Sequence, residues 1–149
     1  MRRATIRYTT KSEYGIIALL HLANAEAGRP CSANDIASGE GMSVEYVEKL
    51  LTRLKQFGLV ESHRGANGGY TLATEPKNIT LKHIIEALDG ATFQTFCVDE
   101  VRENIVCNHL SACGVNHIWD GLKDAIDTYL ESITLASLRK EHAVAMAKA

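Results

Sequence analysis

Residues 42–73 read MSVEYVEKLLTRLKQFGLVESHRGANGGYTLA, a helix pattern followed directly by a hairpin pattern. The first half predicts an amphipathic helix, because its apolar side chains recur every three or four residues. Ser43 is a suitable N-cap, and Gly58 suits the position just after the helix. The apolar stripe consists of Val44, Val47, Leu50, Leu51, Leu54 and Phe57.

The second half of this stretch predicts two short strands around a glycine-rich turn. Residues 59–64 and 70–73 have strand-like composition, and residues 65–69 read GANGG. This hairpin directly follows the second helix of a helix-turn-helix that the preceding residues predict, as argued below. A hairpin in that position is typical of a wing. A glycine-rich tip can approach a phosphate backbone closely, and Arg64 is suited to a narrow minor groove. The wing residues expected to contact DNA are Arg64, Gly65, Asn67 and Gly68.

A first helix is predicted near the start of the chain. Thr10 with Glu13 three residues later matches a capping box, and helical spacing of apolar residues continues to about Ala25.

A second, shorter helix is predicted between the first helix and the 42–73 stretch. Ser32 can cap it, Asp35 lies in its first turn, and Gly39 and Gly41 end it. Together with the helix after Ser43 it predicts a helix-turn-helix, in which the later helix offers its polar face to the major groove. The residues expected on that face are Ser43, Glu45, Tyr46, Glu48, Lys49, Thr52 and Arg53.

The charge distribution separates the two halves of the chain. A net charge of −2 argues mildly against nucleic acid, because DNA affinity comes largely from Lys and Arg. However, residues 1–75 carry nine basic and eight acidic side chains, and residues 76–149 carry seven and ten. The first half is therefore the better candidate for a DNA-binding side. Its basic clusters are Arg2, Arg3, Arg7 and Lys11, then Lys49, Arg53, Lys55 and Arg64; an ordinary solvated surface also explains them.

Three of the four cysteines, Cys97, Cys107 and Cys113, lie in one polar stretch between helical patterns. Thiolates gathered in this way can converge on a soft cation or an iron–sulfur cluster. Residues 90–115 would otherwise form an unusually long irregular loop, which a bound group would organise. A zinc site completed by His109 or His117, or a thiol switch, remains open. Cys31 lies apart from the group and is interpreted as structural.

The sequence also narrows the location and the class of protein. The most hydrophobic run, residues 16–20, is too short to span a bilayer, and no signal peptide pattern opens the chain. We therefore expect a cytoplasmic protein, where clustered cysteines more often bind metals than form structural disulfides. No nucleophile with a base, paired carboxylate motif or phosphate-binding glycine loop occurs at useful spacing, so we do not expect an enzyme.

A last long helix is predicted to start near Asn116. Its apolar face needs a partner, which is either the rest of the chain or a second copy of the helix. Beyond Leu138 the alanine-rich tail gives no prediction. The apolar face consists of Ile118, Trp119, Leu122, Ala125, Ile126, Tyr129, Leu130 and Ile133, with Asp120, Lys123, Asp124, Asp127 and Glu131 on the other faces.

Several segments together resemble the Rrf-type winged-helix transcription regulators, a family that includes IscR, NsrR and RirA. The resemblance implies a mainly α fold with a small β-hairpin wing and a long dimerisation helix. It also implies a homodimer on a roughly palindromic double-stranded DNA operator, with half-sites about 34 Å apart. The matching segments are residues 8–14 (YTTKSEY), 42–50 (MSVEYVEKL), 58–60 (GLV), 64–70 (RGANGGY), 79–81 (ITL), the cysteine loop and 132–135 (SITL).

The resemblance further implies that Cys97, Cys107 and Cys113 hold an iron–sulfur cluster, with 2Fe–2S favoured and 4Fe–4S possible. Five residues separate the last two cysteines, as in the family, but nine separate the first two, where relatives commonly have five to seven. The fourth ligand is then Glu13, reaching across from the partner subunit, or His117. Glu13 is slightly favoured, because His117 lies one residue beyond the histidine of IscR.

The resulting prediction is a dimeric regulator that senses iron, redox or nitric oxide status through the cluster. The alternative is a winged-helix regulator that responds through zinc or thiol/disulfide chemistry. Neither a membrane nor a small-molecule substrate is expected. The predicted organisation is a DNA-binding domain at 1–90, a cysteine-bearing loop at 91–115, and a dimerisation helix with its tail at 116–149.

Overall fold

The fold comes from a computed structural model, which describes residues 8–26, 28–93 and 113–148. Within these residues the chain forms six α-helices and a two-stranded antiparallel sheet, which confirms the predicted fold class. The helices are α1 (Thr10–Asn24), α2 (Ala33–Glu40), α3 (Val44–Gln56), α4 (Leu81–Asp89), α5 (Gly114–Ser132) and α6 (Leu135–Lys148); the strands are β1 (Val60–His63) and β2 (Gly69–Leu72), followed by a short 3-10 helix, Pro76–Asn78.

The predicted starts of α2 and α3 are confirmed. The Asp35 amide donates to Ser32 Oγ at 3.1 Å, and the Ser32 amide donates to the Asp35 carboxylate at 3.0 Å. This reciprocal pair is a capping box. At α3 the Tyr46 amide donates to Ser43 Oγ at 3.3 Å. Both helices therefore begin where a short hydroxyl side chain satisfies an amide that the helix leaves unpaired.

The predicted ends of these two helices are confirmed with one change. Gly58 follows the C-cap of α3 with φ of 73°, and Gly41 caps α2 with φ of 68°. Gly39, by contrast, lies inside α2 rather than at its end. Its lack of a side chain makes room for His21, because a Cβ there would lie 2.8 Å from the imidazole.

The start of α1 differs from the prediction by one residue. Thr9, not Thr10, is the N-cap, and its hydroxyl accepts from the Lys11 amide at 3.2 Å. Glu13 is then four residues beyond the cap, one too many for a capping box. The carboxylate of Glu13 is therefore not used to begin the helix.

The core is built on the predicted apolar stripe of α3. This stripe packs against α1, α2 and α4, and its four central members, Val47, Leu50, Leu51 and Leu54, are at most 3% exposed. Each buried side chain of this size contributes about 1.5–3 kcal/mol to folding. At the two ends of the stripe, Val44 is half-buried and Phe57 is 54% exposed.

The wing is joined firmly to α3 and to the segment before α2. Val60 pairs with Leu72 and His63 with Gly69 across the hairpin. The backbone of Cys31 adds a further bridge to Tyr70, with amide-to-carbonyl distances of 3.0 and 2.8 Å. The hairpin therefore has a fixed register on the body of the domain.

The chain after the cysteine segment forms two helices, where the sequence predicted one helix and an uninformative tail. A backbone bridge joins Thr80, just before α4, to Thr134, just before α6. Its hydrogen bonds run from the Leu81 amide to the Ile133 carbonyl and from the Leu135 amide to the Ile79 carbonyl, each 2.8 Å. Leu135 is fully buried. The segments 79–81 and 132–135, which contributed to the family resemblance, thus pair with each other.

Helix α5 begins at Gly114, two residues before the predicted start. Asp127, which the sequence placed off the apolar face of this helix, is buried. Its residue exposure is 9%, and it is the buried residue of this helix. Lys82 of α4 and Lys123 pair with its carboxylate, which offsets part of the cost of burying the charge. The proposed division into three domains stays a prediction.

Candidate nucleic-acid interface and cysteine segment

The polar face of α3 is open to solvent. Glu45, Glu48, Lys49, Thr52 and Arg53 are exposed, as is the capping Ser43. Because the opposite face supplies the core, α3 cannot turn its polar face inward without unfolding the domain. These six side chains are therefore available to a partner outside the chain.

Tyr46 differs from the other predicted contact residues. It is half-buried, and its ring meets that of Tyr14 edge to face, with centroids 5.7 Å apart and planes at 87°. Aromatic pairs of this geometry stabilise by about 0.5–1.5 kcal/mol. Tyr46 therefore fixes α3 against α1 and has only part of its side chain free for a partner.

Two further side chains on α3 have local partners that limit what they can read. The Thr52 hydroxyl donates to the Glu48 carbonyl at 2.7 Å, which leaves its methyl group and acceptor lone pairs for a partner. The Arg53 guanidinium carbon lies 6.0 Å from the centre of the Phe57 ring, within the range of a cation–π contact. Phe57 thereby holds a cation near the last turn of the helix.

The wing tip presents small and basic residues to solvent. Arg64, Gly65 and Asn67 are exposed, and Gly68 is half-buried. A Cβ at Gly68 would lie 2.4 Å from the His63 carbonyl oxygen, so no larger residue fits this turn. The tip is consequently both narrow and cationic, as approach to a phosphate backbone requires.

A hydrogen bond joins α3 to the wing. Lys55 Nζ donates to Ser62 Oγ on β1 at 2.6 Å. Four basic residues, Lys49, Arg53, Lys55 and Arg64, are exposed on these two elements. Arg2, Arg3 and Arg7 lie outside the described residues. Exposed basic side chains thus extend from the helix onto the hairpin, interspersed with the exposed Glu45, Glu48 and Glu61.

One of the three predicted thiolate ligands lies within the described residues. Cys113 is the N-cap of α5, is half-buried, and makes no side-chain capping bond. The positive end of the helix dipole favours negative charge at this position. His117 is exposed in the first turn of the same helix. Cys97, Cys107 and His109 lie outside the described residues.

Glu13, the favoured fourth ligand, is exposed on α1. The pKa of Tyr8 is raised, first by burial and then by the negative charge of Glu13. The hydrogen bond that the Tyr8 hydroxyl donates to the Glu13 carboxylate acts in the same direction. Since the capping box is absent, no helix-capping role accounts for this carboxylate. Among residues 8–26, 28–93 and 113–148, no three His, Cys, Asp or Glu side chains converge on a metal position.

Cys31 behaves as a structural residue. It is half-buried, packs against the core, and its backbone pairs with the wing. Burial, followed by the charge of Asp35, raises the pKa of its thiol. A raised pKa reduces the thiolate fraction and therefore the reactivity of the sulfur.

Two buried or half-buried carboxylates near the cysteine segment were missed by the sequence interpretation. Asp89 ends α4, and Asp127 lies on α5. Two sequence signals point to them. An aspartate at a helix C-terminus is unfavourable unless it has a partner, and Lys123 lies four residues before Asp127.

The helix-turn-helix, its exposed polar helix and the adjoining wing define a winged-helix regulator. The model of the Rrf2 family, described as an iron-dependent transcriptional regulator, matches residues 8–141. The chain belongs to the Rrf2 family of transcription regulators.

Relatives and solved structures agree with this assignment. The transcriptional regulator IscR of Escherichia coli O1:K1 / APEC is 35% identical over 134 residues, which cover 89% of this chain and 80% of that protein. Among solved structures, CymR, the global cysteine regulator of B. subtilis, matches with TM-score 0.68 and 33% identity, covering 92% of this chain and 98% of that one. IscR of T. potens matches with TM-score 0.66 and 34% identity, covering 91% and 88%.

None of the helices in the described part of the chain combines the length and apolar character needed to cross a bilayer.

Proposed function

We propose that this chain is a dimeric DNA-binding regulator that senses iron, redox or nitric oxide status through an iron–sulfur cluster. One observation carries the DNA-binding part: the exposed polar face of α3 continues onto a narrow basic wing. Cluster sensing is supported by the three clustered cysteines and by the similarity to IscR.

The base-reading roles follow from the chemistry of the α3 side chains. Glu48 can accept from cytosine, and Lys49 or Arg53 can donate to guanine or to phosphate. The methyl group of Thr52 suits thymine, because its hydroxyl already donates to the backbone. Glu45 and Glu48 also repel phosphate and so disfavour wrong sequences.

Replacement of Glu48 by Ala tests this role. We expect relaxed base preference in a selection from random operators, because the substitution removes both an acceptor and a repulsive charge. Glu141→Ala is the control, since it also removes an exposed glutamate but lies on α6, outside the predicted contact residues. An unchanged preference for Glu48→Ala would refute the role.

The proposed cluster ligands are Cys97, Cys107, Cys113 and Glu13, and the 2Fe–2S form is favoured. The donor set fits such a group, because thiolates bind iron–sulfur clusters and a single oxygen ligand tunes potential and lability. When bound, the cluster supplies one-electron redox chemistry. Cys113 contributes from the start of α5, and Glu13 offers an exposed carboxylate that is free of a capping role.

Coupling between cluster and operator follows from the link between the cysteine segment and α5. A change in the cysteine segment would alter α5, the spacing of the two α3 helices, and so operator affinity. The coupling is reciprocal: if the cluster favours DNA binding, DNA favours cluster retention by the same free energy, about 1–3 kcal/mol for a typical switch. Equal operator affinity of holo and apo protein at fixed salt would contradict this proposal.

Purification without oxygen, followed by an absorption spectrum and analysis of iron, sulfide and zinc, tests the cofactor directly. We expect iron and sulfide in equal amounts with visible charge-transfer absorption. Two results together would contradict the sensor proposal. The first is purified protein that contains no iron, sulfide or other metal, and the second is unchanged promoter control after all three cysteines are replaced by serine.

The fourth ligand is tested by comparing Glu13→Gln with His117→Gln. We expect faster cluster loss under a chelator for Glu13→Gln and an unchanged rate for His117→Gln. The reverse result would assign His117.

The second candidate function is regulation through zinc or through thiol/disulfide chemistry. It is favoured by the similarity to a protein named the global cysteine regulator. Zinc in a one-to-one ratio without sulfide, or a reversible loss of free thiols that changes operator affinity, would support it over the cluster.

The remaining parts of the proposal concern class, place and organisation. The related proteins are named as transcriptional regulators, and we propose neither catalysis nor a small-molecule substrate. We propose a cytoplasmic location, which a DNA-binding role supports. The DNA-binding domain is proposed at 1–90, the cysteine loop at 91–115, and the dimerisation helix and tail at 116–149.

A further inference from the structure

The carboxylate of Asp89 connects the end of α4 to the start of α1. One oxygen accepts from the Thr9 amide at 2.9 Å and from the Ser12 hydroxyl at 2.6 Å. The other accepts from the Thr9 hydroxyl at 2.5 Å. Ser12 is fully buried, so its hydroxyl has no access to water if Asp89 is removed. Asp89 thus supplements the cap of α1 from 80 residues away in sequence.

Close packing of the same two helices keeps this connection in register. Gly15 lies against Leu88, and a Cβ at Gly15 would be 2.1 Å from Leu88 Cδ1. The two helices therefore meet with no space for even a methyl group. A shift of α4 along α1 would break both the packing and the hydrogen bonds of Asp89.

Asp127 forms a second connection, three residues further along the same chain segment, at Thr92. The hydroxyl of Thr92, only 4% exposed, donates to Asp127 Oδ1 at 3.2 Å. Lys82 Nζ of α4 lies 3.3 Å from Oδ2, and Lys123 bonds to the same oxygen. Thr92 and both lysines thus hold one carboxylate of α5.

These two connections lie at opposite ends of residues 89–93, which we call the entry segment because it leads into the cysteine segment. Asp89 joins it to α1 of the same chain, the helix whose Glu13 is proposed to reach the cluster of the partner subunit. Thr92 joins it, through Asp127, to α5, the helix that begins just after Cys113. The entry segment is therefore fixed to both helices that bear proposed ligands within the described residues.

We propose that Asp89 and Asp127 are positioning residues of the sensor, and that together they transmit a change in the cysteine segment to α1 and α5 at once. This inference rests on the proposed cluster-sensing function. Hydrogen-bonded carboxylates suit the task, because their bonds are either formed or broken and so give two distinct arrangements of the helices.

Asp89→Asn and Asp127→Asn are the variants that test the transmission. Asparagine keeps the shape of the side chain but has one acceptor oxygen instead of two. In the apo protein, hydrogen exchange should rise near the substitution and also at the far end: at the first turn of α5 for Asp89→Asn and at the first turn of α1 for Asp127→Asn. Exchange that rises only next to each substitution would overturn the proposal.

Operator affinity gives the second readout. We expect the ratio of holo to apo affinity to move at least fivefold towards one in both variants, while apo affinity changes less than twofold. A merely structural role would lower holo and apo affinity together and keep their ratio, which would overturn the proposal.

The control is Asp124→Asn, at an exposed position of α5. This variant should leave hydrogen exchange and the ratio of holo to apo affinity unchanged. If the ratio moved towards one as far as it does in Asp127→Asn, loss of any charge on α5 would be sufficient, and the proposal would be overturned. If Asp89→Asn does not fold, Ser12→Ala is the substitute variant. It removes one hydrogen bond to Asp89, and alanine has the higher helix propensity. We expect the same rise in hydrogen exchange at the first turn of α5.

Failure of this inference can be told apart from failure of the proposed function. If the unmodified protein has equal holo and apo affinities, the sensor proposal fails. The other case is that the unmodified protein binds the operator differently in its holo and apo forms, but both variants match it in far-end hydrogen exchange and in the ratio of holo to apo affinity. Only the inference then fails.

Discussion

Helices α3 and α5 are both amphipathic, but they bury opposite kinds of residue. Helix α3 buries four apolar side chains to 3% exposure or less and leaves its charges in solvent. On α5 the buried residue is Asp127, whereas Ile118 and Tyr129 are each 65% exposed.

The difference shows what each helix needs in order to be stable. The core of α3 is completed within a single chain. The exposed apolar face of α5, which also includes Trp119 and Leu122 at 41% exposure each, is typical of a surface that contacts another protein. We attribute it to the second copy in the proposed dimer.

The largest effect is expected inside α3. Leu51→Ala should lower the free energy of unfolding by about 2–5 kcal/mol, because it creates a cavity at a fully buried position. Leu122→Ala on α5 should cost less than about 1 kcal/mol in the monomer. Urea denaturation at several protein concentrations measures both. Equal losses that do not depend on concentration would contradict the comparison.

The next effect concerns association. Ile118→Glu should weaken dimerisation by about 30-fold or more, because it places a charge on the apolar face of α5. Sedimentation equilibrium measures the dissociation constant. Val144→Glu, at a 54% exposed position of α6, is the matched control and should leave it unchanged. If both variants weakened dimerisation equally, the assignment of the dimer interface to α5 would be wrong.

A smaller effect distinguishes the first residues of the two helices. Ser43→Ala should cost about 1 kcal/mol, because it removes the bond to the Tyr46 amide. Cys113→Ala in the apo protein should stay within about 0.5 kcal/mol, because that side chain makes no capping bond. Denaturation midpoints report both, and equal costs would mean that Cys113 caps α5.

The smallest effect is a pH dependence that comes from α5. Burial raises the pKa of Asp127, but the bonds from Lys123 and Lys82 outweigh it and hold the pKa below the ordinary 3.8. The carboxylate therefore stabilises the fold fully above pH 3.8, and this contribution is lost as pH falls through the lower folded value.

Asp127→Asn should flatten the acid side of the stability curve accordingly. Unfolding free energies measured by urea at pH 7, 4 and 3 test this. Asp89 has a lowered pKa as well, because the bonds from Ser12 and Thr9 outweigh the effect of burial, so part of the slope should remain. If the dependence of unfolding free energy on pH were the same as in the unmodified protein, the ion pairs of Asp127 with Lys82 and Lys123 would make no net contribution to stability.

Local features of the fold could be predicted from the sequence because neighbouring residues determine them. Ser32 with Asp35, Ser43 and Gly58 all occupy the helix ends predicted for them. The error of one residue at Thr9 arises because Thr9 and Thr10 are chemically equivalent as caps. Only the distant carboxylate of Asp89 favours the first of them.

Features that depend on distant pairing could not be predicted. The break between α5 and α6 is fixed by the bridge between Thr80 and Thr134 and by the burial of Leu135, and no local pattern indicates this bridge. Burial of Asp127 depends likewise on Lys82, far away on α4. In the candidate site, exposure of the α3 face was predictable from its periodicity, whereas the pairing of Tyr46 with Tyr14 was not.

The hydrogen bond from Lys55 to Ser62 has a consequence for engineering. A single short turn, residues 57–59, separates α3 from β1, and this bond spans it, so α3 and the hairpin form one structural unit. A transplant of operator preference from one family member to another should therefore exchange residues 43–72 as a block. Grafting the helix alone would leave a donor's helix beside a host's hairpin, and the residue at position 55 would no longer be matched to the one at position 62.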